Sequence, residues 1–331
     1  MKTKQINHLL LAGSLSVLLF ACKKSSNDNS SSTPSNSDLQ TQSDDQTRVS
    51  TETDAAFDDV NTAMTSQAAV TGSSESTPIR YGVIAEGGNQ DTVKSYICDA
   101  TVTVDTVDNP RTLTITYNGA NCNLTRTRTG TVVVSWAAGV RWHNQGAVVT
   151  VNFNNLKITR ISDGKSITLN GTHTYTNVTG GTLLSLTSNS ATAITHTIMS
   201  TNMSITFDNG TQRTWSVARQ RVYSYNSGLV ITTTGLHTDG STTGISEWGI
   251  NRFGNNFSTQ IVNPLVISLC NNYFQMTSGE VNLTNAAGST MITFGLDSTG
   301  TAIGCPVSGT YYFKLVWTGN GGKSYTFILP Y

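Results

Sequence analysis

The sequence predicts an all-β domain of antiparallel hairpins, because apolar residues recur at every second position and turn-forming pairs separate the runs. In 113–117, 149–153 and 203–207, apolar residues alternate with threonine, serine or asparagine. Such alternation buries one face of a strand and leaves the other in water. Asparagine or aspartate before glycine suits the positive φ of tight hairpin turns. Six such pairs occur: Asn118-Gly119, Asp163-Gly164, Asn170-Gly171, Asn209-Gly210, Asp239-Gly240 and Asn320-Gly321.

Two arrangements of these hairpins fit the pattern, a two-sheet sandwich and a single curved meander. A lone sheet would leave its apolar face bare, whereas two sheets cover each other. The sequence therefore favours the sandwich over the curved meander.

The first residues have the features of an export signal. Lys2 and Lys4 precede the apolar run 9–20, which is too short to cross a bilayer as a helix. The following Leu19-Phe20-Ala21-Cys22 resembles the lipobox of bacterial lipoproteins. We expect residues 1–21 to be a signal peptide and Cys22 to become an acylated N-terminus held in a membrane. An ordinary signal peptide with an incidental cysteine is the alternative.

Composition divides the remaining chain into a polar leader and a β body. Residues 22–52 contain few apolar side chains and predict a disordered tether. Phe57, Val60 and Met64 share one helical face and predict a short amphipathic helix over 53–66. Residues 67–78 are expected to be a linker, and 79–331 the antiparallel β domain.

Charge separates the leader from the body in the same way. Between Ser25 and Ile79 nine acidic residues stand against one basic residue, whereas the body from Arg80 onward has fifteen basic and eleven acidic residues. A surplus of four positive charges over about 250 residues is too sparse to predict a nucleic-acid partner.

The four body cysteines agree with an oxidising compartment outside the cytosol. Cys98, Cys122, Cys270 and Cys305 allow three pairings, and proximity favours Cys98–Cys122 with Cys270–Cys305. A zinc site is the alternative, but the chain has no cysteine or histidine pairs at ligand spacing. We expect disulfides and no metal or other cofactor.

The order of these features resembles an uncharacterised family of lipoproteins abundant in Bacteroidota. The resemblance rests on Cys22-Lys23-Lys24, the polar tether, Phe57-Asp58-Asp59-Val60 and the hairpin segments 163–172 and 205–215. It implies an all-β fold and a lipid anchor, but no activity. In the sorting rule for such lipoproteins, the lack of aspartate after the cysteine implies the outer membrane.

Catalytic signatures are lacking in the sequence. There is no nucleophile elbow, phosphate-binding loop or zinc-protease motif, so we predict no catalytic residues. A glycoside hydrolase needs two catalytic carboxylates. Glu247, beside Trp248, is the best candidate for one of them. Glu86 and Glu280 are the other carboxylates that turn formation does not account for. A surface Glu247 beside a core Trp248 is the plainer interpretation, and the scattered histidines 143, 173, 196 and 237 are expected at the surface.

Arginine and aromatic residues share one predicted strand face. Period-two parity places Arg213, Trp215, Arg219, Arg221 and Tyr223 together. Such a face suits an anionic or sugar ligand through bidentate contacts and stacking. The alternative is an exposed face on which arginine stems cover aromatic rings. The five tryptophans likewise fit either a carbohydrate platform or core filling.

Three short motifs resemble the periplasmic O-glycosylation sites of the same bacterial group, in which aspartate precedes serine or threonine. They place the sugar on Thr92, Thr106 and Ser298.

Together these features predict a lipid-anchored outer-membrane protein with a non-catalytic β module, either structural or binding a glycan or an envelope protein. The alternatives are a carbohydrate-active hydrolase and a β groove that carries lipid. Paired carboxylates in a cleft would indicate the hydrolase, and a continuous apolar trough would indicate the lipid carrier.

Overall fold

The computed structural model describes residues 36–65, 97–122, 124–188, 191–225, 228–270, 273–305 and 311–330. The predicted signal peptide 1–21, Cys22 and the linker 67–78 lie outside the described residues. The all-β prediction is confirmed, with fifteen strands and two helices in the described part of the chain.

The helices are α1 (Asn36–Thr65) and α2 (Leu183–Thr187). The first seven strands are β1 (Ala100–Asp105), β2 (Arg111–Ala120), β3 (Arg126–Trp136), β4 (Ala147–Arg160), β5 (Ser166–Asn177), β6 (Ala193–Phe207) and β7 (Gln212–Tyr225). The remaining strands are β8 (Leu229–Gly235), β9 (His237–Asp239), β10 (Thr242–Ile250), β11 (Asn256–Cys270), β12 (Tyr273–Asn285), β13 (Gly288–Leu296), β14 (Tyr312–Gly319) and β15 (Ser324–Pro330).

All fifteen strands belong to one antiparallel sheet that follows chain order from β1 to β15. β8 and β10 occupy the same place in it, because each pairs with both β7 and β11. A short hairpin of β9 and the start of β10 leaves the sheet between them. At its base a Cβ on Gly235 would lie 2.0 Å from the carbonyl oxygen of Gly244, so the crossing requires glycine.

The favoured sandwich is therefore wrong, and the curved meander is the observed fold. Helix α1 contacts side chains of β2, β3, β5, β7 and β10 on one face of the sheet. Six spacings separate β2 from β10 along the sheet, or roughly 29 Å if it were flat. A helix with its side chains is only about 10–12 Å wide. The sheet must curl around α1, and the helix covers the apolar face that a second sheet was expected to cover.

Helix α1 also corrects the predicted tether. The helix was expected over 53–66 but begins at Asn36, so residues 36–52 of the expected disordered tether are helical. Asp45, Gln46 and Arg48 are buried although they are polar. Apolar periodicity cannot detect a helix face whose buried side chains are charged. Thr53, expected near the helix start, instead lies inside the helix and donates from its hydroxyl to the carbonyl oxygen of Val49 at 2.6 Å.

The core lies between α1 and the concave face of the sheet. Val49, Phe57, Val60 and Met64 of α1 are fully or almost fully buried against inward-facing strand residues. The Phe57 ring stacks on Tyr175 of β5 with centroids 4.4 Å apart. Helix and sheet therefore share one hydrophobic core.

The predicted disulfide pairing is confirmed. Cys98 bonds to Cys122 and Cys270 bonds to Cys305, across sequence separations of 24 and 35 residues. The first bridge brackets the β1–β2 hairpin, and the second brackets the β12–β13 hairpin. Each therefore ties together the two ends of one hairpin.

We expect Phe57→Ala to lower the free energy of unfolding by about 3–5 kcal/mol, because it removes a buried ring that joins α1 to the sheet. Urea unfolding followed by circular dichroism measures the change. Val107→Ala is the control: the Val107 side chain is 93% exposed, so its effect should stay within about 0.5 kcal/mol. A loss below about 1 kcal/mol for Phe57→Ala would contradict the burial of α1.

Candidate functional site

The predicted arginine face exists, but helix α1 covers it. Arg213, Trp215, Arg219, Arg221 and Tyr223 all lie on the concave side of β7, and none is more than 9% exposed. The Arg221 guanidinium lies 5.1 Å from the ring centroid of Phe57 on α1. The expected shared face is thus present, while neither the open ligand surface nor the solvent-exposed alternative fits its burial.

Glu247 is the centre of a buried polar network beneath α1. Its carboxylate accepts hydrogen bonds from Arg213 Nη2 at 3.0 Å, from Arg219 Nη2, and from Gln46 Nε2 at 2.9 Å. Gln46 Oε1 in turn accepts from Arg213 Nη1 at 2.7 Å. The network joins α1, β7 and β10 through groups that are all at least nine-tenths buried.

The two arginines keep Glu247 ionised. Burial alone would raise the pKa of this carboxyl, but the attraction of Arg219 and Arg213 and the hydrogen bond from Gln46 outweigh it. The net pKa lies below the usual range of glutamate. A carboxylate that is ionised, buried and bound by three donors has the properties of a structural ion-pair partner and not those of a general acid.

The sequence suggested a surface Glu247 beside a core Trp248, but the structure places these two residues the other way round. Glu247 is 2% exposed on the concave face, whereas Trp248 lies on the convex face, where its ring stacks on His237 at 3.8 Å. Glu280 lies on the convex face too, bonded to Asn263 and Thr293. The sheet therefore separates Glu247 from Glu280, and Glu86 lies outside the described residues.

A second polar cluster surrounds Arg128 on β3. Arg128 binds both oxygens of Asp99, at 2.7 and 2.6 Å, and also binds Oδ2 of Asp59 on α1 at 2.5 Å. The Tyr117 hydroxyl donates to the same Asp59 oxygen at 3.0 Å. Burial raises the pKa of Asp59 more than Arg128 and Tyr117 lower it. This cluster is the second polar attachment of α1 to the sheet.

Further ion pairs join the same face of α1 to the sheet and its turns. Glu52 pairs with Arg126 at 2.9 Å, and Asp45 pairs with Arg252 at 2.7 Å. Asp45, Glu52 and Asp59 are spaced seven residues apart, which places them on one side of an α-helix. The sequence contained this signal, an acidic residue at every second helical turn, but a search for apolar periodicity does not detect it.

Two of the four histidines expected at the surface are buried. His173 and His196 are 2% and 4% exposed. His196 lies between the rings of Trp142 and Tyr223, at 4.9 and 5.0 Å. Burial, reinforced by Arg221, lowers the pKa of His196 to about 3, so the ring is neutral at physiological pH. The described residues contain no group of three histidine, cysteine or acidic side chains placed to hold a metal.

The other four tryptophans share one environment, the interior of the protein. Trp136, Trp142, Trp215 and Trp317 are buried, so core filling describes them and the carbohydrate platform does not. A shallow open pocket lies beside the Glu247 network. Its lining includes Asp45, Gln46, Arg213, Arg252, Phe257 and Asn285.

The proposed O-glycosylation sites fall partly within the described residues. Thr106 and Ser298 are exposed, whereas Thr92 lies outside the described part. The Asp297 side chain accepts hydrogen bonds from the backbone N–H groups of Thr299 and Thr301 and so shapes its turn. Glycosylation stays a prediction.

Comparison with protein-family models, with curated protein sequences and with solved structures gave no match. Within the described residues, no helix has the length and apolar character needed to span a bilayer. Functional inference therefore depends on the chain itself.

We expect Glu247→Gln to destabilise the protein by about 3–5 kcal/mol at neutral pH, because it leaves two buried arginines without their carboxylate. The pKa of Glu247 is lower in the folded than in the unfolded chain. Its contribution is therefore complete above the unfolded-state pKa and is lost as the pH falls through the folded-state value.

Urea unfolding of wild type and variant between pH 7 and pH 3 measures this difference. Glu280→Gln, which changes a carboxylate on the convex face, is the matched control and should change stability by less than about 1 kcal/mol. A Glu247→Gln effect that stays constant over the pH range would contradict the ion-pair assignment.

Proposed function

We propose that this chain is a lipid-anchored protein of the outer membrane whose β domain acts as a non-catalytic binding or structural module. The non-catalytic assignment is supported by the pairing of the interior carboxylates with arginines. Glu247, Asp99, Asp59, Glu52 and Asp45 all pair with arginines between α1 and the sheet. Groups engaged in this way stabilise the structure and do not offer a free acid or base to a substrate.

The anchor rests on the first residues and on the redox state. The segment 19–22 has the form of a lipobox, and Lys2 and Lys4 supply the positive start of an export signal. Two disulfides are typical of proteins outside the reducing cytosol. Both features favour acylation of Cys22 in an exported protein.

The position of α1 favours a binding or structural module over the two alternatives. A lipid carrier needs an open apolar trough, but α1 fills the concave face, where Phe57, Val60 and Met64 are at most 2% exposed. A hydrolase needs two carboxylates in one cleft, and the sheet separates Glu247 from Glu280. A glycan or protein partner is therefore expected on the convex face or at the turns.

We expect Cys22→Ser to release the protein from the membrane fraction and to abolish labelling by fatty acid, because the acyl chains have no other site of attachment in this proposal. Fractionation of cells grown with a radiolabelled fatty acid measures both effects. Lys24→Ser is the control and should stay membrane-bound and labelled. Undiminished membrane association and labelling of Cys22→Ser would refute the anchor.

The non-catalytic assignment predicts that the mature protein binds envelope glycans or envelope proteins without chemical turnover. A glycan array and pull-downs from outer-membrane extract measure binding, and chromatography of the incubated glycans measures cleavage. Cleavage by wild type that is lost in Glu247→Gln, under conditions where the variant is folded, would overturn the assignment.

A further inference from the structure

We propose that one end of the β domain lies directly on the bilayer that holds Cys22, and that the exposed apolar residues of its turns enter the lipid headgroup region. The inference rests on the proposed lipid anchor. The surface consists of residues 121–122 and 124–125, 161–165 and 250–255, and we call it the entry end because Asp45 and Arg48 of α1 contact these turns.

The topology places these three turns at one end of the sheet, where the polar β6–β7 turn 208–211 lies between the second and the third. In an antiparallel meander, alternate connections lie at the same end, so the β2–β3, β4–β5 and β10–β11 turns share one. Two contacts of α1 confirm this. Arg48 donates to the carbonyl oxygen of Lys165 at 2.7 Å, and Asp45 pairs with Arg252 at 2.7 Å.

The anchored end of the chain leaves the domain at the entry end. Phe57 lies deeper in the sheet, stacked on Tyr175 near the far end of β5, whereas Asp45 lies at the turns. Asn36, where the helix begins, lies nine residues before Asp45. Cys22 precedes Asn36 by only fourteen residues. At about 3.5 Å per residue, these can span at most about 50 Å. The anchor thus limits the distance between Asn36 and the bilayer to about 50 Å.

Large apolar side chains are exposed at this end. Leu124, Ile161, Ile250 and Phe253 have exposed fractions of 70%, 51%, 45% and 42%. Single exposed apolar residues are common on protein surfaces. Here, however, four of them occupy three turns at the end from which the membrane tether departs.

Leu124 has a second unusual property. Its φ is +54°, in the left-handed region that leucine rarely adopts. Such strain persists only where the surroundings enforce it, and it often marks a functional position. Here the Cys98–Cys122 bridge and the Asn121 side chain, which accepts from the N–H groups of Thr125 and Arg126, fix the turn. The result is a leucine presented to solvent.

The neighbouring turns are also held firmly. The N–H group of Ile161 donates to the carbonyl oxygen of Thr125 at 3.0 Å, which places Ile161 beside the Leu124 turn. Asn251 Oδ1 accepts from the N–H groups of Phe253 and Asn255, both at 3.0 Å. The apolar residues therefore stand on rigid supports, which reduces the entropy lost when they contact a surface.

A lipid surface fits this arrangement better than a folded protein partner does. The apolar side chains project from separate turns between polar and charged groups, among them the exposed Asp163 and Lys165. Apolar residues that enter the headgroup boundary beside basic residues are typical of peripheral membrane contacts. The nearby tether supplies the second attachment that makes a weak contact of this kind persistent.

Site-specific crosslinking to lipid tests the proposal. Cys22 is the only cysteine outside the two disulfides, so the mature chain beginning at Cys22 can be coupled through its thiol to vesicles that contain a maleimide lipid. The photoreactive residue p-benzoylphenylalanine replaces Phe253, Ile161 or Val107 in separate proteins. Val107 is the matched control, because it is 93% exposed and lies between β1 and β2 at the opposite end.

We expect lipid adducts at positions 253 and 161 at least about tenfold above those at position 107, detected by mass spectrometry. The same pattern is expected on phosphatidylcholine vesicles and on vesicles with added phosphatidylglycerol. Equal adducts at all three positions, adducts mainly at 107, or adducts confined to anionic vesicles would overturn the proposal. The coupling to vesicles is chemical and does not depend on acylation of Cys22 in the cell. A negative result therefore argues only against contact between the entry end and lipid. Acylation of Cys22 is tested separately by the fatty-acid labelling experiment.

A second measurement uses uncoupled protein. The double variant Leu124→Ser with Phe253→Ser should partition to vesicles about tenfold more weakly than Val107→Ser. All three substituted side chains are exposed, so stability should be retained and folding is checked by circular dichroism. Equal partitioning of the two proteins would also overturn the proposal.

Discussion

The pairing of carboxylates on α1 with arginines on the concave face of the sheet is the interaction on which the structure depends. The sheet buries Arg128, Arg213 and Arg219, and an arginine cannot lose its charge to avoid the penalty of burial. Glu247 and Asp99 supply part of the compensation from the sheet itself. The helix supplies the rest through Asp59 and Gln46. The sheet and helix are therefore electrostatically complementary halves of one interior.

That complementarity explains why a polar helix can lie inside a β domain. α1 carries seven acidic residues and one basic residue, so apolar burial alone would hold it weakly. Its apolar residues Phe57, Val60 and Met64 enter the core, while Asp45, Glu52 and Asp59 reach basic groups of the sheet. The apolar contacts bury one side of the helix in the core, and the ion pairs connect its polar side to the sheet.

The sequence predicts local features of this fold well and long-range ones poorly. Period-two runs identify the strands, and proximity selects the correct disulfides, because both depend on residues close in the chain. The choice of sandwich over meander failed, because the cover of the apolar face is a helix whose buried side is partly charged. The position of Glu247 failed for the same reason, since its partner Gln46 lies in a distant segment. Parity correctly grouped Arg213, Arg219 and Arg221, but could not reveal that α1 covers them.

The hydrogen bond between Gln46 and Glu247 joins residues 201 positions apart. During synthesis the helix therefore emerges long before the strands that complete its surroundings. Most strands pair with their neighbours in the chain, but this contact requires closure of a long loop, which slows its formation. The helix and the late strands must fold cooperatively, as one molecule.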